Sequence, residues 1–422
     1  VIVEFPYPET EPLYIPGDLP VTRLSLPRVE PDHSEEEILG KALSAPIGTP
    51  PLRELAGGRK GALIVVDDVS RPTPIHRFAP AVLAELKAAG LAEENIEFIV
   101  ALGTHRPMTR REMEDKLGSD IVKRFPVHNH DWQDREQLEF LGTTEQGAPV
   151  WINKQVRRAD LVIGLGAIMP IEICGFTGGG KILVPGLSGP ETVDSMHWTR
   201  IDVPEGQILG RAENPIRASI DTLARKAGLD FIVNVILDQE NRIVAAAAGD
   251  MVEAHRAGCR DAERVFGVEV PRKFNIVIAD SHPFDIEFWQ ANKALDTAGQ
   301  VVSKGGVVIL VSPCREGLSQ SHASEIRRFG YPPLARIKQL VDSGQIEHRV
   351  VGVHMAQVSA VVTEKARLIL VSTGVGRREA EALGFSWASN PTQALEMALD
   401  ITEGGQPDIA VLEGASRMLA LA

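Results

Sequence analysis

Apolar runs of three to seven residues recur along the chain, many followed by a segment whose apolar positions repeat every three or four residues. The first pattern suits strands buried on both faces, and the second suits helices that cover them. Ala62-Leu63-Ile64-Val65-Val66-Asp67 predicts such a strand, and Phe78 to Ala89, closed by Gly90, predicts the helix after it. Ile96 to Ala101 is the next strand and runs into Gly103-Thr104-His105-Arg106-Pro107. Ser34 with Glu37, and Thr109 with Glu112, have the spacing of capping boxes that open helices, the second helix stopping at Gly118. Val150-Trp151-Ile152 and Leu161-Val162-Ile163 read as short strands and Asn214 to Ala227 as a helix. Phe231 to Leu237 with Arg242 to Ala247 read as an antiparallel pair, followed by a helix from Met251 to Phe266.

Val268 to Arg272 contains a proline and reads as a linker, after which the alternation restarts. Strands are predicted at Asn275–Ala279, Val307–Val311, Leu368–Val371 and Ile409–Leu412. Helices are predicted at Phe288–Val302, Ala335–Val341, Met355–Thr363 and Pro391–Leu399. The first thirty residues, rich in Pro and Glu, read as an extended arm packed on a domain. Alternation of this kind predicts an α/β fold with mainly parallel sheets. Two α/β domains are expected, residues 1–269 and 270–422, with an active-site cleft between them at the carboxyl ends of strands.

Composition narrows the partners. The chain has 422 residues, 44% of them apolar and 24% charged, and a net charge of −13. That balance suits a globular enzyme and disfavours nucleic acid, so an anionic substrate would have to be drawn in by a local group of Arg and Lys. No run approaches the roughly 20 apolar residues needed to cross a bilayer. The cysteines Cys174, Cys259 and Cys314 form no CxxC pair, which argues against a disulfide framework or zinc ribbon. With no signal-peptide pattern, the cytosol is the expected compartment.

The densest chemistry lies at Gly175-Phe176-Thr177-Gly178-Gly179-Gly180-Lys181. Consecutive glycines allow close backbone approach and can turn N–H groups toward an anion, and a lysine directly after them can pair with a phosphate or react. A flexible turn with a surface lysine is the plainer alternative. It is not a Walker A loop, since Ile182 follows the lysine where a Ser or Thr would hold magnesium. Asp67-Asp68-Val69-Ser70-Arg71-Pro72-Thr73-Pro74 follows a strand. There Arg71 could clamp a carboxylate and Asp68 could take a hydroxyl, or the two could simply pair in a rigid turn. His105 stands at the next strand end. His128 and His130, alternate residues before Asp131, look like a metal cluster but are placed as structural. His197 follows a helix start at Pro190 and could ligate nickel, zinc or iron, though one histidine cannot make a site alone. Gln290 and Lys293, three apart, share a helix face that is either functional or solvated. His282 and His354 read as structural.

Together these residues resemble the nickel-pincer lactate racemase family. The likeness runs along nearly the whole chain, through the turn at Asp67–Pro74, GTHR at Gly103–Arg106 and the stretch Leu141–Asn153. It continues through Gly175–Gly186, Phe231–Val235, the Gln290/Lys293 pair and Cys314–Gly317. The resemblance implies a nickel-bound, nicotinate-derived mononucleotide with two thiocarboxyl arms (pyridinium-3,5-bisthiocarboxylic acid mononucleotide), joined to Lys181 as a thioamide. His197 would be the protein's ligand to nickel. Asp68, Thr73, Gly178, Gly179 and Gly180 would line the cofactor, while Arg71, Gln290 and Lys293 would bind a 2-hydroxy acid. His105, Lys293 and Glu172 are the expected catalytic residues. Hydrogen would move from the substrate carbon as hydride while His105 takes the hydroxyl proton. The cofactor would come from separate cofactor-building enzymes.

One position departs from the family pattern. Ile171 stands where a second catalytic histidine is expected, ten residues before the lysine. The second base would then be Glu172, or His128, His130 or His354, and a 2-hydroxy acid other than lactate becomes the better expectation. An NAD-dependent dehydrogenase is disfavoured because Gly164-x-Gly166 lacks the third glycine of a dinucleotide fingerprint. A plain binding protein is disfavoured because it would need neither Lys181 nor His197.

Overall fold

A computed structural model describes residues 1–144, 147–203, 207–402 and 407–421. Glu145 and Gln146, inside the Leu141–Asn153 stretch, lie outside the described residues. The chain divides into a unit of Arg28–Val265 and a unit of Val1–Pro27 with Phe266–Ala422. The N-terminal arm therefore does not belong to the same unit as residues 28–265, as the expected 1–269 domain had it. Two features hold it to the second unit: strand β1 (Val21–Ser25) runs parallel to Ile409–Glu413, and Val3, Tyr7, Leu13 and Ile15 pack in one apolar core with Ile276 and Ile309.

The Arg28–Val265 unit is built on strands β2 (Ala62–Asp67), β3 (Ile96–Ala101), β4 (Val127–Asn129), β5 (Val162–Ala167), β6 (Phe231–Leu237) and β7 (Ile243–Gly249). Their order is β7-β6-β5-β2-β3-β4. All neighbours are parallel except β6 and β7, which pair antiparallel as the sequence suggests. The first five positions of β2 and all six of β5 are buried, as expected for central strands of a parallel sheet. Helices α1 (Glu35–Ser44), α2 (Ile75–Ala88), α3 (Arg110–Leu117), α4 (Pro190–Trp198), α5 (Pro215–Ala227) and α6 (Glu253–Phe266) follow or cover these strands. The predicted capping boxes are present at α1 and α3. Leu63, Val65, Ile163's neighbour Val162, Ile182, Ile220 and Ala224 share one apolar core, which seats the lysine loop directly on the sheet and α5.

The second unit carries β8 (Phe274–Asp280), β9 (Val302–Val311), β10 (Ala366–Val371), β11 (Ser386–Ala388) and β12 (Ile409–Glu413), in the order β11-β10-β9-β8-β12-β1, all parallel. Helices α7 (Phe288–Val301), α8 (Arg349–Val362) and α9 (Pro391–Ile401) belong to it. The segment read as a linker is partly strand: Gly267–Glu269 pairs parallel with Leu419–Leu421. Pro271 falls two residues past that strand, where its missing N–H costs no ladder bond. Among the described residues no helix is long and apolar enough to cross a membrane.

Candidate active site

The carboxyl ends of β2 and β3 bring Asp68 and His105 together. Asp68 is buried, and its Oδ2 lies 2.6 Å from His105 Nδ1. Its Oδ1 accepts from the Ser70 amide at 3.2 Å and the Ser70 hydroxyl at 2.5 Å. Burial pushes the Asp68 carboxyl upward, but His105, Arg71 and Ser70 outweigh it and hold it well below the usual carboxylate range. An ionised Asp68 accepts only, so His105 carries its proton on Nδ1 and presents Nε2 as the basic nitrogen. Ser70 Oγ is 3.5 Å from the same Nδ1. A Ser–His–Asp relay would need serine and aspartate on opposite ring nitrogens, so Ser70 is not an activated nucleophile.

Arg71 donates from Nη1 to the Ser70 carbonyl at 3.1 Å and hydroxyl at 3.0 Å. Beneath the turn, Asp67 pairs with Lys116 at 2.8 Å and accepts the Thr73 hydroxyl, while Lys116 donates to the Arg71 carbonyl at 2.9 Å. Thr73, expected at the cofactor, is buried with its hydroxyl proton directed to Asp67.

The glycines before Lys181 are required by packing. Gly178 and Gly179 have φ of 78° and 60°, which disfavour any side chain. A Cβ on Gly178 would meet Asn234 Oδ1 at 2.7 Å, one on Gly179 the His255 ring at 2.9 Å, and one on Gly180 the Ala224 methyl at 2.8 Å. The Gly179 amide donates inward to Asn234 Oδ1 at 2.8 Å. That N–H is therefore directed into the protein rather than toward an anion, which corrects the expectation for this glycine. Lys181 sits in the short 3-10 turn Gly179–Ile182. Burial lowers the pKa of its ammonium; the charges of Arg71 and Arg217 lower it further, against the opposite pull of Cys174 and Glu172.

His197 lies in the last turn of α4, where Nδ1 donates to the Val193 carbonyl at 2.8 Å. Burial, with the charge of Lys181 adding to it, pushes its pKa down to about 4. It is therefore neutral at neutral pH with its lone pair on Nε2, the form a metal requires. Glu172 is buried and acts electrostatically on both Lys181 and His197. Lys181 thus lies within electrostatic reach of Arg71, Glu172 and His197, and Arg71 in turn acts on Asp68, the partner of His105. Ile171 is in the strand Pro170–Ile171, paired with Gly175–Phe176, and packs in an apolar core that includes Cys174 and Met196.

The other expected residues are placed as follows. In the second unit, Lys293 Nζ donates to Gln290 Oε1 at 2.5 Å and lies 4.7 Å over the Phe284 ring. Both residues are buried, so the solvated-face alternative does not hold. His354 stacks on Trp289 at 4.1 Å, and burial, with His322 and Lys293 nearby, pushes its pKa down to about 3. His130 is buried, donating from Nε2 to the Ser188 carbonyl at 3.0 Å and accepting from Asn153 at Nδ1 at 3.2 Å. His128 is exposed and faces Glu97 at 3.7 Å. His282 faces Asp285 at 3.6 Å. Among the described residues, no three His, Cys, Asp or Glu side chains converge as a metal site.

Sequence reasoning missed Arg217 and His255. Arg217, fully buried on α5, donates to the carbonyls of Phe176 and, at 3.1 Å, Gly178. His255, fully buried on α6, donates from Nε2 to the Thr177 carbonyl at 2.8 Å and accepts at Nδ1 from Arg256 at 2.9 Å. The available signal was an Arg–Asp pair, Arg217 and Asp221, one turn apart among the apolar residues of α5.

The sequence matches the lactate racemase N-terminal domain over residues 9–208 and the lactate racemase C-terminal domain over residues 270–419. It is 30% identical to a lactate racemase from Thermoanaerobacterium thermosaccharolyticum over 386 residues, covering 91% of this chain and 90% of the relative. It is 33% identical to a lactate racemase from Lactiplantibacillus plantarum over 286 residues, 67% of each chain. Its fold aligns with the lactate racemase apoprotein of Thermoanaerobacterium thermosaccharolyticum over 100% of both chains, with TM-score 0.86 and 27% identity. A Thermotoga maritima protein shares the fold, with TM-score 0.74 at 22% identity over 92% of this chain and 98% of that one. By both domain matches and by identity along nearly its full length, the chain belongs to the lactate racemase family, an enzyme family of the racemase type.

Proposed function

We propose that this protein is a nickel-dependent racemase or epimerase of a 2-hydroxy acid other than lactate. The observation that carries this reading is the pairing of a neutral His197, its Nε2 lone pair available by tautomer, with Lys181 inside its electrostatic reach. Those two residues fit a lysine-tethered pyridinium bisthiocarboxylate mononucleotide that brings nickel and offers one coordination position to an imidazole. Bound there, the group supplies a hydride acceptor and donor.

The chain's own residues supply the rest. Arg71 binds the substrate carboxylate, a planar fork against a planar anion. His105 Nε2 removes the hydroxyl proton as the substrate carbon gives up its hydrogen, and the ionised Asp68 stabilises the resulting imidazolium. Lys293, positioned by Gln290, is assigned to hold the planar keto acid while it turns. Glu172 is the base for the opposite face, in place of a histidine at Ile171. Three buried free cysteines suit a reducing cytosol.

The test is to produce the protein alongside the cofactor-building enzymes and measure intact mass and nickel content. Loss of optical purity across a panel of 2-hydroxy acids is then followed. An added mass on Lys181, about one nickel per chain and racemisation of a non-lactate substrate are expected. An unmodified Lys181 without nickel would sink the reading and leave a binding homologue.

A further inference from the structure

We infer that Arg217 and His255 form a buried clamp that positions Lys181, by holding three consecutive carbonyls of the loop that presents it. This rests on the reading of Lys181 as the covalent attachment point. The geometry is continuous along the chain. Arg217 Nη2 donates to Phe176 O, His255 Nε2 donates to Thr177 O at 2.8 Å, and Arg217 Nη1 donates to Gly178 O at 3.1 Å. On the next residue the backbone reverses role, and the Gly179 N–H donates to Asn234 Oδ1 at 2.8 Å. Four successive backbone groups are thus fixed by three side chains on β6, α5 and α6, and the chain turns into Gly179–Ile182 with Lys181 at its centre.

The chemistry of Arg217 argues against a role in packing alone. It is fully buried, and among the described residues its guanidinium hydrogen-bonds no carboxylate: it donates to the two carbonyls and, at 3.3 Å, to Cys174 Sγ. Among the described residues its Nε has no hydrogen-bond partner. The nearby acid, Asp221, is bonded instead to Arg256 at 2.6 Å. Asp221 does lie within electrostatic reach of Arg217, yet a fully buried cation whose donors meet carbonyls is still costly, and an apolar side chain would fill the same space more cheaply. What an apolar side chain cannot do is bridge two carbonyls two residues apart. His255 is locked in the tautomer that serves the middle carbonyl, because Arg256 donates to its Nδ1 at 2.9 Å. The glycines complete the device, since a Cβ on Gly179 would strike the His255 ring at 2.9 Å. Gly179 is therefore the loop's contact with the clamp, while Gly178 and Gly180 lie against Asn234 and Ala224, and Lys181 is presented by a loop whose inner side is bonded to the core.

Amide hydrogen exchange on the cofactor-free full chain tests the clamp directly, with loading of Lys181, read by intact mass after co-production with the cofactor-building enzymes, as a second readout. Arg217→Met should speed exchange of the amides between residues 178 and 183 by at least about tenfold, while amides of β2 and β5 keep their wild-type rates. Its Lys181 loading should fall by a similar factor. His255→Phe should do the same more weakly, and His255→Gln, which keeps an N–H donor, should restore slow exchange. Wild-type exchange and loading in both Arg217→Met and His255→Phe would overturn the clamp. Should Arg217→Met not fold, the His255 pair decides the matter. Should the wild type itself not load, the attachment reading fails, and the exchange rates still decide whether the clamp exists.

Discussion

Asp68 Oδ2 sits 2.6 Å from His105 Nδ1, and this one contact sets which nitrogen of the histidine is basic. Asp68→Asn places an amide where the ring proton now points and favours the opposite tautomer. With the 2-hydroxy acid that the loaded enzyme turns over, kcat should fall by about 10²–10⁴-fold and KM should move less than about threefold. Unchanged kcat would remove His105 from the proton-transfer role.

In the proposed mechanism Arg71 binds the substrate carboxylate; its Nη1 is anchored on the Ser70 hydroxyl, and Lys116 holds its backbone carbonyl. Arg71→Lys keeps the charge and loses the two parallel donors. KM for the substrate should rise by at least about tenfold, with Lys181 loading and nickel content unchanged. Steady-state kinetics on the loaded variant read this directly.

In the proposed mechanism Glu172 is the second base, and His354 is the alternative to test against it. Glu172 acts on Lys181 and His197, whereas His354 is stacked on Trp289 and pushed down to about 3 by burial. Glu172→Gln should cut racemisation in both directions by at least about 10²-fold. His354→Gln should change it far less. The reverse ranking, measured by polarimetry from each enantiomer, would reassign the base.

His130 makes a testable contribution to acid stability. Burial pushes its pKa from 6.5 to about 4, so between those values the unfolded chain binds a proton that the folded chain refuses. Stability therefore rises with pH across that window and is lost as pH falls through it, by about 1.4 kcal/mol per pH unit for each such group. His130→Gln should flatten the fall in denaturant resistance between pH 6.5 and 4. Urea titrations at several pH values across that window measure the slope.

The central strands of both sheets were legible because buried parallel strands are written as unbroken apolar runs, Ala62–Asp67 being the plainest; the three-residue edge strands Val127–Asn129 and Ser386–Ala388 were too short to leave such a run. The capping boxes at Ser34 and Thr109 were legible because their chemistry is complete within four residues. Membership of β1 was not, because its partner β12 is about 390 residues away and a pairing that distant leaves no local mark. The strand at Gly267–Glu269 was hidden by Pro271, which lies outside its ladder. At the site, Asp68, Arg71, His105, Lys181 and His197 were named from the sequence and come together in one unit. Arg217 and His255 were not named, since a charged residue on a helix reads as solvated until the backbone it bonds to is in view. The glycines were read as facing a ligand, and the atoms nearest their missing Cβ positions belong to the protein interior.

The pairing of Val21–Ser25 with Ile409–Glu413 also sets an order of events during synthesis. Every strand of the β7-to-β4 sheet lies within Arg28–Val265, so that sheet can assemble as soon as its own segment has left the ribosome. The other sheet cannot. Its first strand, once made, waits for a partner some 390 residues later, roughly 20–80 s at ordinary elongation rates. During that interval Val21–Ser25 is an unpaired strand edge on a nascent chain, the kind of segment that chaperones shield.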